Sequence, residues 1–281
     1  MNLILEKFRL HTVCDEAQCP NKGECWSGGT AAFMVMGDIC TRACRFCAVK
    51  TAREGRPLDA LEGEAIARAA AELGLTYAVL TSVDRDDLPD RGAAHFASCI
   101  AAIRTHTPDI RTEALIPDYT AEELATVLDA GPDVIAHNVE TVRSLQGVRD
   151  GRASFDKSLE TLRSAKILGT IAASRPQVTK SSLILGMGEK PDEVLSAMDE
   201  LRAAAVDILV MGQYLRPTKK QLPVAEYITP DQFARYAEEA KRRGFSSVVS
   251  APFARTSYHA ANTFPVSNGV SIRMNNSKTH R

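Results

Sequence analysis

Six of the chain's seven cysteines fall between Cys14 and Cys47, and the seventh is Cys99. They form two triplets. Cys14, Cys19 and Cys25 are spaced C-x4-C-x5-C, and Cys40, Cys44 and Cys47 are spaced C-x3-C-x2-C. An odd cysteine count makes a poor disulfide framework, and Met1–Leu10 has neither a long apolar run nor a small-residue cleavage site that would signal export. Metal or iron–sulfur ligation is the remaining chemistry. Zinc takes four ligands, often as two C-x2-C pairs, whereas each group here offers three thiolates. Three cysteines on a cubane of four irons leave one iron uncapped, able to bind a substrate or cofactor. A structural zinc site drawn from four of the six, with two to spare, is the plainer alternative. Cys99 sits in a helical stretch, His95–Arg104, and reads as a small buried hydrophobe rather than a ligand.

These thiolates need a scaffold. After Cys47 the sequence alternates between strand-length apolar runs and amphipathic helical segments. The runs are Phe33–Gly37, Tyr77–Thr81, Thr112–Ile116, Val134–His137, Ser182–Gly186 and Ile208–Gln213. Helices are expected over Ala60–Leu73, Ala93–Thr105, Ala121–Leu128, Phe155–Ile167, Pro191–Ala204 and Pro230–Arg243. Ile66, Ala69, Ala70 and Leu73 recur at helical spacing and would face a sheet. Pro191 and Pro230 suit helix starts, with Thr229 as a cap; Gly74, Gly131, Gly169 and Gly244 read as stop signals. Strand–helix repetition gives a parallel sheet with helices outside it. Six units fall short of eight, so the fold class is α/β, a partial (β/α)6 barrel.

Active sites of parallel barrels form at the C-terminal strand ends. Polar residues stand at those ends here: Asp38–Cys40, Thr81–Asp87, Glu113, His137–Glu140, Gly186–Glu189 and Gln213–Arg216. Cys40, Cys44 and Cys47 follow the first strand directly and would occupy the barrel mouth. Cys14, Cys19 and Cys25 lie on an irregular segment able to fold back over the same mouth. The expected organisation is an N-terminal extension (1–32), a barrel (33–245), a C-terminal segment (246–260) and a mobile tail (261–281). The segment Ser250–Ala260, which Val248 and Val249 lead into, reads as a loop.

Composition narrows the function. Lys+Arg 34 against Asp+Glu 35 in 281 residues gives a net charge of −1, which argues against a general nucleic-acid binder. Charged residues at 25% and hydrophobic residues at 44% suit a folded soluble protein. No run of about 18 apolar residues occurs, so no membrane span is expected.

The C-x3-C-x2-C motif after a first strand, followed by six barrel units, resembles the radical S-adenosylmethionine superfamily. From about Leu10 to Ala260 the chain resembles one of its families more closely, the lipoyl synthases. The resemblance is carried by His11-Thr12-Val13-Cys14, Cys19-Pro20-Asn21, Gly23-Glu24-Cys25-Trp26 and Gly37-Asp38-Ile39-Cys40-Thr41-Arg42. Further matches are Thr81 to Leu88, His137-Asn138-Val139-Glu140, Thr179-Lys180-Ser181, Gly186-Met187-Gly188-Glu189 and Gly212 to Pro217. Arg255-Thr256-Ser257-Tyr258 matches the family's Arg-Ser-Ser-Tyr motif except at Thr256.

That resemblance implies two [4Fe-4S] clusters and S-adenosylmethionine as cofactors. Cys40, Cys44 and Cys47 would hold the cluster that binds S-adenosylmethionine. Cys14, Cys19 and Cys25 would hold an auxiliary cluster, with Ser257 as its fourth protein ligand. The reaction implied is radical insertion of sulfur at the sixth and eighth carbons of a protein-bound octanoyl group. Those carbons carry no acidic hydrogen, so a radical is required. The auxiliary cluster would donate the sulfur, and a hydroxyl ligand, harder than thiolate, suits a cluster that is dismantled. Asn138 and Glu140 are candidates for the ribose hydroxyls, and Ser82, Asp84 and Lys180 for the methionyl or adenosyl parts. Gln213 and Arg216 are candidates for the substrate entrance, and Arg255 for positioning the auxiliary cluster. The plainer role of each is a salt bridge or loop cap. His11, His95, His106, His259 and His280 give no ligand pattern, and His137 reads as a packing or hydrogen-bonding residue.

Expected partners are an octanoylated lipoyl-domain or glycine-cleavage carrier protein, an electron donor such as flavodoxin or ferredoxin, and an iron–sulfur carrier. Neither nucleic acid nor membrane is expected as a partner. Only 13 residues precede Cys14, fewer than the family usually carries, and a bacterial cytoplasm fits better than an organelle. A methylthiotransferase would add a nucleic-acid-binding module, which is not visible. A non-catalytic zinc or iron–sulfur binding protein is the other rival, and metal analysis separates it.

Overall fold

The computed structural model describes residues 2–16, 19, 21–173 and 177–264. Ten strands alternate with ten helices among them. The strands are β1 (His11–Thr12), β2 (Thr30–Val35), β3 (Ile39–Cys40), β4 (Lys50–Thr51), β5 (Tyr77–Ser82), β6 (Arg111–Leu115), β7 (Val134–Ala136), β8 (Val178–Leu185), β9 (Ile208–Gln213) and β10 (Ser247–Ser250). The helices are α1 (Asn2–Phe8), α2 (Val13–Glu16), α3 (Lys22–Ser27), α4 (Glu62–Glu72), α5 (Ala93–His106), α6 (Ala121–Asp129), α7 (Phe155–Ala173), α8 (Pro191–Ala203), α9 (Pro230–Arg242) and α10 (Ala260–Thr263).

Eight strands form one sheet in the order β1-β2-β5-β6-β7-β8-β9-β10. From β2 to β10 every pairing is parallel, and β1 adds an antiparallel edge on β2. All six expected strands are present. The partial barrel gains a seventh parallel strand, β10, whose Ser247 pairs with Ile208 and Ser250 with Met211. Residues 246–250 therefore extend the sheet, where the expected organisation began the C-terminal segment. Four residues suffice because β9 already offers a free edge for Val248 and Val249 to extend. β3 and β4 make a separate parallel pair around the second cysteine group.

Apolar strands covered by helices explain the core. Val79, Leu80, Ile135, Leu209 and Val210 are buried in the sheet, as a parallel sheet covered on its faces requires. Ile66, Ala69 and Ala70 of α4 pack with Phe96, Cys99, Ile100 and Ile103 of α5 in one core cluster. Cys99 is fully buried there, as its helical setting suggested. Thr229 caps α9 by accepting from the Gln232 amide, with Pro230 following it at the first helical position. Gly74, Gly131 and Gly244 adopt positive φ after their helices. Gly169 does not end its helix: α7 runs on to Ala173. A Cβ at Gly169 would stand 2.7 Å from the Gln177 side chain, so this glycine provides clearance for packing. Of the expected tail (261–281), residues 261–263 belong to the helical turn Ala260–Thr263, and residues 265–281 lie outside the described residues.

Candidate active site

The second cysteine group hangs on the loop that leaves β2. Arg42, between Cys40 and Cys44, anchors that loop from inside. Its guanidinium donates two bonds of 2.9 Å to the Asp86 carboxylate and one of 2.5 Å to Asp118, and it lies 3.4 Å from Asp84. The three aspartates belong to the loops after β5 and β6, so one buried arginine fastens the cysteine loop to two strand ends. Thr41 adds a backbone bond of 2.9 Å to the Asp84 carbonyl and a side-chain bond of 2.8 Å to Asp86. The sulfurs receive amide hydrogens. Cys40 Sγ accepts from Arg42 N at 3.4 Å and Asp84 N at 3.3 Å, and Cys44 Sγ accepts from Asp150 N at 3.3 Å. Such donors favour thiolate over thiol. Against them, burial pushes the Cys40 thiol up to about 12 and the Cys44 thiol up to about 11. Binding a cation here must therefore displace protons, and the charge of the cation supplies the drive.

Beside this loop lies an open cleft at the C-terminal ends of β5, β6 and β7. Ser82, Asp84, Asn138 and Glu140 line it together with Cys44. Four of the five sequence-proposed cofactor contacts thus line one cleft with Cys44 of the C-x3-C-x2-C motif. Ser82 Oγ is buried with no hydrogen-bond partner among the described residues, so a polar group is needed to satisfy it. Glu140 has a φ of 65° outside glycine, a strained conformation of the kind stored at functional sites. Burial raises the carboxyl pKa of both Glu140 and Asp84. Phe46, Leu115, Ile116 and Pro117 give the cleft its apolar wall. His137 lies at the same cleft. Its Nδ1 is 2.8 Å from the Ile116 carbonyl, which can only accept, so Nδ1 carries the proton and Nε2 accepts from Ser158 at 2.8 Å. Burial lowers its pKa to about 4, so it stays neutral at pH 7.

Lys180 is placed elsewhere. It is fully buried, and its Nζ donates to both carboxylate oxygens of Glu113 at 2.9 Å. Tyr77 donates to the same carboxylate at 2.8 Å. An internal acid therefore satisfies this lysine, which does not reach the cleft. Gln213 is also structural: its amide donates to the Glu226 and Tyr214 carbonyls and accepts from Ile228 N. Arg216 folds onto the carbonyls of Gln221 and Lys219 on an exposed loop.

The first cysteine triplet lines a second, tightly filled recess whose other wall comes from the far end of the chain. Cys14, Cys19 and Cys25 share this recess with Arg255 and Ser257. The C-terminal strap, residues 251–259, is held there from both sides. Gln213 N donates to the Pro252 carbonyl at 3.1 Å, and Asn21 Nδ2 donates to the Phe253 carbonyl at 2.6 Å. Glu24 accepts from Tyr258 at 3.3 Å and meets His259 Nε2 at 3.0 Å. Gly212 makes room: a Cβ on it would stand 2.0 Å from the Ala254 carbonyl oxygen. Thr256, adjacent to Ser257, faces different partners, with its Oγ1 3.1 Å from Asn138 Nδ2 and 3.0 Å from Ser182 Oγ. Arg255 makes no ion pair with a carboxylate among the described residues; its Nη1 donates to the Ala254 carbonyl at 2.6 Å. Burial lowers its pKa, and Cys19 acts in the opposite direction. Trp26 Nε1 is buried beside Cys14 and acts to lower its thiol pKa against the effect of burial.

The spacing of the donors separates two kinds of metal centre. A tetrahedral zinc with sulfurs at about 2.3 Å holds those sulfurs roughly 3.8 Å apart. Among the described residues, the group whose ligand atoms all lie within 4.8 Å is Glu62, His95 and Cys99. Neither cysteine triplet meets that spacing as a set, so at least one pair of sulfurs in each stands wider than a single tetrahedral ion requires. In the Glu62 group the His95–Glu62 distance of 2.6 Å is that of a hydrogen bond, and Glu62 also accepts from Met36 N.

Residues 34–211 match the family model described as the radical SAM superfamily. Methylornithine synthase shares the fold, with a TM-score of 0.55 at 13% identity over 89% of this chain and 81% of that one. A FeFe-hydrogenase maturase from Carboxydothermus hydrogenoformans aligns with a TM-score of 0.60 at 16% identity, covering 78% of this chain and 58% of that one. The fold and the cysteine loop define a radical S-adenosylmethionine protein. Curated relatives narrow the class. The lipoyl synthase of Marinobacter nauticus is 52% identical over 95% of this chain and 76% of its own length. Those of Methanocella arvoryzae and Thermus thermophilus are 49% and 50% identical, over 93% and 94% of this chain and 88% and 81% of their own lengths. The chain belongs to the lipoyl synthase family.

Sequence reasoning missed four parts of the site: Arg42, Asn21, Glu24 and the bond from Thr256 to Asn138. Arg42 carried one signal, a cation between two ligand cysteines. Asn21 and Glu24 become visible only when the chain's two ends meet, and the Thr256 bond only when the C-terminal segment crosses the strand ends.

Proposed function

We propose that this chain carries out the lipoyl synthase reaction, replacing one hydrogen at the sixth and one at the eighth carbon of a protein-bound octanoyl group with sulfur. The observation that carries this reading is the recess in which Ser257 meets Cys14, Cys19 and Cys25. When bound, two four-iron clusters and S-adenosylmethionine supply the radical chemistry and the sulfur. Cys40, Cys44 and Cys47 would hold one cluster, with the Arg42, Asp84 and Asp150 amides stabilising thiolate charge. Asn138 and Glu140 would bind the ribose hydroxyls, while Ser82 and Asp84 would take polar groups of the methionyl or adenosyl part. Phe46, Leu115, Ile116 and Pro117 would pack against the apolar parts of the bound cofactor. Cys14, Cys19, Cys25 and Ser257 would hold the second cluster, with Arg255 offsetting its negative charge. Ser257 is preferred over Thr256 because the Thr256 hydroxyl is engaged at Asn138.

The acyl substrate arrives on an octanoylated carrier, of lipoyl-domain or glycine-cleavage type. An acidic one-electron donor of the flavodoxin or ferredoxin class and an iron–sulfur carrier for rebuilding complete the set of partners. A cytoplasmic location suits these partners, and among the described residues no helix is long and apolar enough to cross a membrane.

The test is anaerobic turnover of the reconstituted chain with an octanoyl-lysine peptide, dithionite and S-adenosylmethionine. Mass spectrometry should show a product with two sulfurs in place of two hydrogens. Absence of both that product and its one-sulfur intermediate would overturn the assignment.

A further inference from the structure

Ser257 lines the cysteine recess, and Asn138 lines the cleft beside Cys44. Thr256 stands between them. Its Oγ1 accepts from Asn138 Nδ2 at 3.1 Å, lies 3.3 Å from Asn138 Oδ1, and is 3.0 Å from Ser182 Oγ. Asn138 also acts on the neighbouring Glu140 carboxyl, favouring its charged form against the effect of burial. From the cleft to Ser257 the path is one hydrogen bond and one peptide unit. A ligand hydroxyl that takes up the Asn138 N–H now held by Thr256 would compete with Thr256 for it. A threonine is suited to transmit such a change, because its branched Cβ restricts the side-chain rotamer and ties the hydroxyl to the backbone.

We propose that Thr256 is a positioning residue that couples occupancy of the Asn138–Glu140 cleft to placement of the Ser257 hydroxyl in the cysteine recess. This rests on the reading above, in which the cleft takes S-adenosylmethionine and the recess takes the second cluster. Such coupling is reciprocal: loading the recess must change affinity in the cleft by the same factor with which the cleft changes the recess. It also needs no movement of the sheet, since both partners of Thr256 belong to its framework: Ser182 lies within β8 and Asn138 two residues after β7.

The experiment measures S-adenosylmethionine affinity by anaerobic equilibrium dialysis. It compares the fully reconstituted chain with a Cys14→Ala/Cys19→Ala/Cys25→Ala variant that keeps the other cluster. Each is made in three backgrounds: unchanged, Thr256→Ser and Thr256→Val. The unchanged and Thr256→Ser backgrounds should show a difference of about fivefold or more between loaded and unloaded recess. Thr256→Val keeps the shape but lacks the hydroxyl, and there the difference should vanish. A difference that survives Thr256→Val, or is absent from the unchanged chain, or is lost in Thr256→Ser, overturns the proposal. Iron content read on the same samples identifies the other failure: if the recess never takes iron, the reading of the recess falls and the coupling falls with it.

Discussion

Arg42 and Ser257 show how single residues decide the chemistry. Arg42 is buried among Asp84, Asp86 and Asp118 and satisfies all three at once. Removing its charge leaves three carboxylates facing one another under the cysteine loop, and breaking a buried pair from one side costs about 3–5 kcal/mol. Arg42→Met should therefore lower unfolding free energy by roughly that amount in urea titration. An unchanged midpoint would mean that the aspartates find other partners. Ser257 presents a different question, since its oxygen is harder than the three sulfurs around it. Ser257→Cys should keep iron in the recess yet lower formation of the two-sulfur product by at least about tenfold. Product at the normal rate would contradict the idea that a weakly matched oxygen ligand is needed.

At the scale of elements, the strap over β9 is the decisive piece. Its path across the strand is possible because position 212 has no side chain. Gly212→Ala would force the Ala254 carbonyl outward, a clash of the overpacking kind that costs about 1–3 kcal/mol. The sheet should survive while the strap shifts. Iron content should then fall toward that of one cluster, with cleavage of S-adenosylmethionine retained; full iron content would show that the strap tolerates the added methyl. The six inner strands could be read from the sequence because a parallel sheet covered on its faces demands continuous apolar runs. The Ser247–Ser250 strand could not, since four residues with two apolar ones look the same in a loop. Gly169 misled for a related reason: a glycine that ends a helix and one that provides clearance inside it are identical in sequence. The six cysteines were visible as two spaced triplets, one of them after the first barrel strand, and the four cleft residues as polar positions at strand ends. Lys180 was visible too, but its partner Glu113 lies 67 positions away, and only the fold shows that an internal acid satisfies its charge.

The whole molecule brings two cysteine sites together on one barrel scaffold. One lies where the loop after β2 meets the ends of β5, β6 and β7. The other forms where the chain's first and last described segments close on each other. Length serves this closure, because the strap can reach the N-terminal triplet only after the sheet has been built. The near-neutral charge agrees with a chain whose ionic groups serve internal sites rather than a polyanion. The central claim is that both triplets carry a four-iron cluster, and the direct measurement is iron and sulfide content with Mössbauer spectroscopy after anaerobic reconstitution. The account predicts about eight irons per chain, falling to about four when either triplet is replaced by alanine. About four irons in the unaltered chain, or zinc in place of iron, would contradict it.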